Sequence, residues 1–199
     1  MHNIEITVKD ETLHLLPQRA VYWPRTGTLF IADMHLTDDS AVMDLLRLSG
    51  ALTQTGAQQL IVLGDMVDPQ NGYTETVRRL FIRWRPPEVK ITVVRGDAEQ
   101  HHGDPPQSWQ VGCVDCPTPG PLFVLQHTAQ TPQDAEAFSL AGQLHPTVTG
   151  DDRQQYPAFI IRENIAILPA FGTAAPGTAY TPKPGEHVYM VRNHNITPV

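Results

Sequence analysis

The stretch Thr28-Leu29-Phe30-Ile31-Ala32-Asp33-Met34-His35 decides the fold. Its first five residues form a near-continuous apolar run of strand length, which suits a strand buried on both faces of a sheet. A carboxylate and an imidazole follow at once, where such a strand would leave the core. The same pattern recurs along the chain. Leu60-Ile61-Val62-Leu63 is followed by Gly64-Asp65, and a strand over 89–94 is followed by Gly96-Asp97. Between these runs, Ala41–Thr55 places Val42, Leu45, Leu46, Leu48 and Leu52 at helical spacing and stops at Gly56. Residues 74–84 read as a second helix, ended before Pro86-Pro87. This alternation of strand and helix predicts α/β layers.

Ahead of this unit, Ile4-Glu5-Ile6-Thr7-Val8 alternates apolar and polar, as a half-exposed strand does, and Ala20–Trp23 reads as another short strand. Behind it, residues 100–121 are rich in Pro, Gly, Asp and His and read as a long loop. Further strands are expected over 122–125, ending at His127, and over Phe138–Ala141, leading into Gly142-Gln143-Leu144-His145. A hairpin is expected around Glu163-Asn164, and a last strand over 188–191. No internal repeat is evident, and 199 residues are read as a single domain over 1–199.

Composition narrows the classes. The chain is 41% hydrophobic and 18% charged, which is ordinary for a globular protein with one sizeable core. A net charge of -7 argues against attracting nucleic acid through the whole surface, although bound cations would add charge that this count omits. Arg78, Arg79, Arg83, Arg85 and Arg95 cluster, and a solvated helix face is the plain reading of most of them. No apolar run is long enough to span a bilayer and the N-terminus carries no signal pattern, so the expected location is the cytoplasm, with no membrane partner. Cys113 and Cys116 make a single C-x-x-C, too few ligands for a structural zinc, and Pro117 and Pro119 oppose a redox helix; they read as two loop thiols.

The residues that follow the strands carry the chemistry. They are Asp33-x-His35, Asp65, Asp97, His127 and Gln143-x-His145. Singly, each has a bland reading: an Asp after a strand caps or turns, and a lone His is usually structural. Together they put oxygen and imidazole ligands at five successive strand ends, which is where open α/β sheets build their sites. Such a mixed set suits Mn, Fe or Zn better than Ca or Mg. In Asp33-x-His35 an extended backbone would send both side chains the same way. A glycine before Asp65 and before Asp97 would let the chain turn sharply.

The ordered set resembles the calcineurin-like metallophosphoesterase superfamily, whose pattern runs D-x-H, G-D, G-N-H-D, H, G-H-x-H. The run Ile31-Ala32-Asp33-Met34-His35-Leu36, Trp84-Arg85, Gly142-Gln143-Leu144-His145-Pro146 and Leu168-Pro169-Ala170-Phe171-Gly172 look like one bacterial branch of it, the ligase-associated DNA-damage-response endonucleases. The resemblance implies two packed mixed β-sheets flanked by helices, a four-layer sandwich with metals at one edge. It also implies that Asp33, His35 and His145 hold a first metal, that Asp65 bridges two, and that His127 holds the second with positions 97 and 143. The implied cofactor is a pair of divalent ions, Mn first, with Fe, Zn or Mg as alternatives.

Three positions depart from the pattern. The family's asparagine is Asp97, its following histidine is Ala98, and the first histidine of G-H-x-H is Gln143. The changes at 97 and 143 shift the second site toward oxygen-preferring ions such as Mn or Mg. Loss of the histidine removes a general acid worth about 10²–10⁴ in rate. His101 and His102 stand close behind as replacements, against their plain reading as solvated loop residues. The expected function is hydrolysis of phosphodiesters by metal-activated water, with DNA or RNA as substrate and DNA-repair proteins as partners by resemblance. The alternative is a degenerate member that binds metal or a partner without turnover.

Overall fold

The computed structural model describes residues 3–120, 122–132, 134 and 136–199. The first half of the chain builds one sheet of seven strands in sequential order. These are β1 (Ile4–Val8), β2 (Glu11–Leu16), β3 (Ala20–Trp23), β4 (Thr28–Ala32), β5 (Gln59–Leu63), β6 (Lys90–Val94) and β7 (Val111–Val114). β1 to β4 run antiparallel to one another, and β4 to β7 run parallel. The second half builds a nine-stranded sheet from β8 (Thr118–Pro119), β9 (Phe123–Gln126), β10 (Phe138–Ala141), β11 (Pro146–Thr149), β12 (Gln155–Arg162), β13 (Ile165–Ile167), β14 (Thr178–Ala179), β15 (His187–Arg192) and β16 (Asn195–Pro198). In this sheet β9, β10 and β13 run parallel, while β12 pairs antiparallel with β11, β13 and β15.

Side-chain alternation along the central strands explains the layering. Leu29, Ile31, Leu60, Val62, Ile91 and Val93 face the helices α1 (Ala41–Thr55) and α2 (Glu75–Trp84). Their neighbours Phe30, Ala32, Leu63 and Val94 face the other way and meet Phe123, Leu125, Phe138 and Leu140 of the second sheet. A strand buried on both faces must be apolar throughout, which is why β4 reads as an unbroken run. The two mixed sheets therefore share one core, with few helices flanking the pair. α1 ends at Gly56, whose φ of 65° is the left-handed cap expected there, and its N–H donates to the Leu52 carbonyl at 2.8 Å. α2 starts where the Thr74 hydroxyl accepts the Val77 N–H at 3.2 Å.

The expected loop over 100–121 is largely ordered structure. A short helix α3 (Asp97–His102), a 3₁₀ turn (Gln107–Trp109) and strand β7 occupy it, while Pro121 lies outside the described residues. Trp109 supplies the reason: it is fully buried and stacks on Phe81 with ring centroids 4.1 Å apart. That anchor lets Val111 and Cys113 pair with Ile91 and Val93, so tertiary packing overrides the Gly and Pro content. Cys113 is thus a strand residue rather than a loop thiol; both cysteines are free, and Cys116 Sγ accepts the His127 N–H at 3.2 Å. Among the described residues, no helix is long and apolar enough to cross a membrane.

Candidate metal centre

The parallel strands of both sheets end along one seam, and the chemistry-bearing residues follow those ends. Asp33 and His35 leave β4, Asp65 leaves β5, His127 leaves β9, and Gln143 and His145 leave β10. The segment 168–172 stitches the seam together. Leu168 N–H donates to the Ala141 carbonyl at 2.8 Å, Phe171 N–H to Ala32 at 2.7 Å, and Gly172 N–H to Asp33 at 3.0 Å. A motif noticed in the sequence for its resemblance alone therefore has a structural duty: it holds the backbone of Asp33 from the opposite sheet.

Asp33 and His35 converge, but not through extended backbone. Their φ values are 51° and 43°, and Asp65, Gln143 and His145 also sit in the left-handed region at 47°, 61° and 48°. Left-handed conformations in non-glycine residues cluster where structure is committed to function. The glycine reading holds at Gly64 and needs correction at Gly96. Gly64 has φ 84°, and a Cβ there would come within 2.0 Å of His127 Nδ1. Gly96 is extended at φ -109°, so it serves no sharp turn. What it provides is room, because a Cβ there would lie 2.5 Å from Asp65 Oδ1.

Among the described residues, two groups of side chains have ligand-type atoms within 4.8 Å of one another: Asp33, His35 and His145, and Asp33, Asp65 and His127. Asp33 belongs to both. His145 Nε2 lies 3.4 Å from Asp33 Oδ2, and His127 Nδ1 lies 3.3 Å from Asp33 Oδ1. His35 Nε2 and His127 Nε2 lie 3.4 and 3.7 Å from the two oxygens of Asp65. Asp97 is further out, with Oδ2 3.8 Å from His127 Nε2, and it accepts a hydrogen bond from the Gln143 side chain at 3.2 Å.

The outer contacts aim these rings. His127 Nδ1 reaches the Leu63 carbonyl at 3.2 Å and His145 Nδ1 reaches the Pro176 carbonyl at 3.0 Å. A carbonyl only accepts, so each Nδ1 donates and each Nε2 is turned inward. Asp33 Oδ1 and the Nε2 atoms of His35, His127 and His145 are all buried without a hydrogen-bond partner among the described residues. Four orphaned polar atoms in one cluster are costly unless something polar joins them, and oxygen plus imidazole is a donor set that divalent cations take.

The electrostatics agree. Burial disfavours the Asp33 carboxylate, yet the His127 and His145 rings 3.3 and 3.4 Å away outweigh it and hold the acid below its usual range. Burial likewise opposes a charged His127, but Asp33, Asp65 and the Leu63 carbonyl raise its pKa to about 9; His145 is raised by Asp33 in the same way.

Glu99, which follows Ala98, buttresses the cluster. It is 2% exposed, and its Oε2 accepts the N–H groups of Asp65 and Gly96 at 3.0 and 2.9 Å while Oε1 accepts that of Met66 at 2.9 Å. Burial raises its pKa, with the three N–H groups opposing. Ala98 is fully buried, and its N–H donates to Asp65 Oδ1 at 2.8 Å. His101 and His102 join neither ligand group. His102 Nε2 bonds the Pro69 carbonyl at 2.8 Å, and His101 stands exposed beside it. Among the clustered arginines, Arg78, Arg79 and Arg83 are exposed on α2, as the plain reading expects. Arg85 caps the Trp109 carbonyl, and Arg95 is held by Asp104 and Asp115.

No protein-family model and no curated protein matches the chain. Among solved structures, nuclease MPE of Pseudomonas putida superposes with a TM-score of 0.91 at 30% identity, covering 100% of both chains. The phosphoesterase YfcE of E. coli superposes with a TM-score of 0.45 at 15% identity, covering 86% of this chain and 97% of that one. A full-length match at that identity, on a strand-end cluster of Asp and His, shows that the chain belongs to the metallophosphoesterase family, in the branch of nuclease MPE.

Proposed function

We propose that the chain hydrolyses phosphodiesters with two divalent ions held at the seam, and that nucleic acid is its substrate class. The observation that carries this reading is the set of inward-turned, unpartnered atoms on Asp33, His35, His127 and His145. In this reading Asp33, His35 and His145 would hold the first ion, Asp65 would serve both, and His127 would hold the second with Asp97 and Gln143. Bound divalent ions supply Lewis acidity toward the phosphate and make a nearby water more acidic. The chain's own part is placement: Glu99 and the Ala98 N–H fix Asp65, and the Leu63 and Pro176 carbonyls fix the two imidazoles. The methyl group of Ala98 has no proton to give, so that position offers the leaving oxygen no general acid, and activated esters of acidic alcohols or phenols should be cleaved faster than the alkyl diesters of nucleic acid.

Manganese is the ion we favour, since Asp97 puts a carboxylate where the family has a neutral amide and Gln143 offers an amide oxygen where the family has an imidazole; Fe, Zn and Mg are the alternatives. Nuclease MPE is named for cleaving nucleic acid, which supports that substrate class here. A DNA-repair setting rests on the resemblance of the branch, and two free thiols suit a reducing compartment, hence the cytoplasm. The test is to measure metals bound to the purified protein, then hydrolysis of an activated phosphodiester with added Mn, for wild type and Asp65→Asn. Mn-dependent hydrolysis lost in the variant is the expected result. Metal bound with no turnover on any activated ester would instead mark a binding module, and no metal uptake would sink the proposal.

A further inference from the structure

Beside the cluster opens a cavity of about 400 Å³ whose wall includes His145. Its other lining side chains include Thr147, Gln155, Thr173 and Arg19, and no acidic residue lines it among the described residues. Acid-free walls are notable on a chain of net charge -7. The volume falls within the roughly 300–1,000 Å³ usual for small-ligand sites, roomier than a lone phosphate needs.

Arg19 sits in the turn between β2 and β3 and is half-buried. Its one hydrogen bond from the guanidinium, to the Ala170 carbonyl, is long at 3.4 Å, and it has no ion pair among the described residues. The nearby carboxylate, Asp44, is already committed. Arg47 Nη2 holds its Oδ1 at 2.8 Å, and the Thr173 N–H and hydroxyl reach both oxygens at 3.1 to 3.3 Å. Arg47 is itself fixed over the Phe171 ring, 4.5 Å from its centroid, and bonds the Phe171 carbonyl. Burial and the Arg47 charge both work against the Arg19 cation and push its pKa down to about 10, with Asp44 opposing. It remains charged at neutral pH, a rigid fork of donors short of an anion.

We propose that this cavity holds the phosphodiester next to the one being cleaved, with Arg19 as its anion contact, so that the substrate is a strand rather than a single ester. The proposal rests on the phosphoesterase reading above and adds the polymeric substrate to it. Phosphate on a guanidinium gives two parallel charge-assisted hydrogen bonds, which a lysine cannot copy. The neutral Thr147 and Gln155 lining leaves room and polarity for the intervening sugar.

The experiment compares wild type, Arg19→Gln, Arg19→Lys and the exposed-helix control Arg79→Gln, with matched melting temperatures as the folding check. Two substrates are used with Mn, bis(p-nitrophenyl) phosphate and a short single-stranded oligonucleotide. Binding of the fluorescent oligonucleotide is measured by anisotropy with Ca in place of Mn. Arg19→Gln is expected to lose about tenfold more on the oligonucleotide than on the small diester, and to lower the log–log salt slope of binding by about 0.7–1. Arg19→Lys should recover the slope but only part of the rate, and Arg79→Gln should match wild type. Equal losses on both substrates, or no loss on either, would overturn the subsite. Arg19-dependent binding of the oligonucleotide without cleavage of either substrate would leave the subsite standing and remove the phosphoesterase reading. Cleavage of both by wild type and Arg19→Gln alike would do the reverse.

Discussion

Replacing Glu99 by Gln changes one atom and isolates what its carboxylate contributes. Three N–H groups converge on the two oxygens, two on Oε2 and one on Oε1, and nothing there accepts. A glutamine can offer its carbonyl oxygen to one side only. In the better orientation it keeps Asp65 and Gly96, and its NH₂ group then faces the Met66 N–H, donor against donor. A buried donor left unsatisfied costs about 1–3 kcal/mol, so a loss near 2 kcal/mol is expected. For a chain of this size that lowers the melting temperature by roughly 4–8 °C. The effect on chemistry should exceed the effect on stability, because the displaced N–H, that of Met66, belongs to the turn that carries Asp65. Thermal unfolding by circular dichroism, with Mn affinity measured by calorimetry on the folded protein, checks both. If Gln melts within about 1 °C of Glu and binds Mn equally, the carboxyl is already protonated at working pH and the buttress argument is wrong.

Two further outcomes test the centre itself. In protein stripped with a chelator, His127 has a folded pKa of about 9 against 6.5 unfolded, so its stabilising contribution is complete below pH 6.5 and lost as pH rises through 9. Melting temperatures of stripped protein should therefore fall across that window, whereas metal affinity should rise about tenfold per pH unit up to 9, because the ion displaces the proton; a flat affinity profile would mean His127 is not a ligand. Gly142→Ala places a Cβ 2.7 Å from Asp33 Oδ2 and 3.0 Å from the Leu63 carbonyl, so it should abolish uptake of the first metal; unchanged metal stoichiometry would refute the geometry.

Much of the fold is written in patterns that local physics decodes. β4 and β10 have the bounds expected from their apolar runs, and α1 runs from Ala41 to Thr55 with its cap at Gly56. The hairpin around Glu163-Asn164 is present, with Arg162 opposite Ile165. β2 and β16 went unread because their turns hide. Val8 pairs with Glu11 across Lys9-Asp10, both at positive φ, and Arg192 pairs with Asn195 across Asn193-His194, again both positive. Such two-residue turns normally announce themselves with glycine, and here none is present. The strand-end Asp and His residues were legible as an ordered set. Glu99 and Arg19 were not, because what distinguishes them is burial and partner count, which arise only once distant segments meet.

The seam has a consequence for the order in which the protein is born. Asp33, His35 and Asp65 come from the sheet made first, and His127 and His145 from the sheet made second. A nascent chain that has completed β7 carries the carboxylates but neither of these imidazoles. Both ligand groups draw on both sheets. Hydrolytic power would therefore arrive late and all at once, when β10 docks and residues 168–172 lock Asp33 in place. A fragment or an unfolded chain would have no partial activity to turn loose on the cell's own nucleic acids.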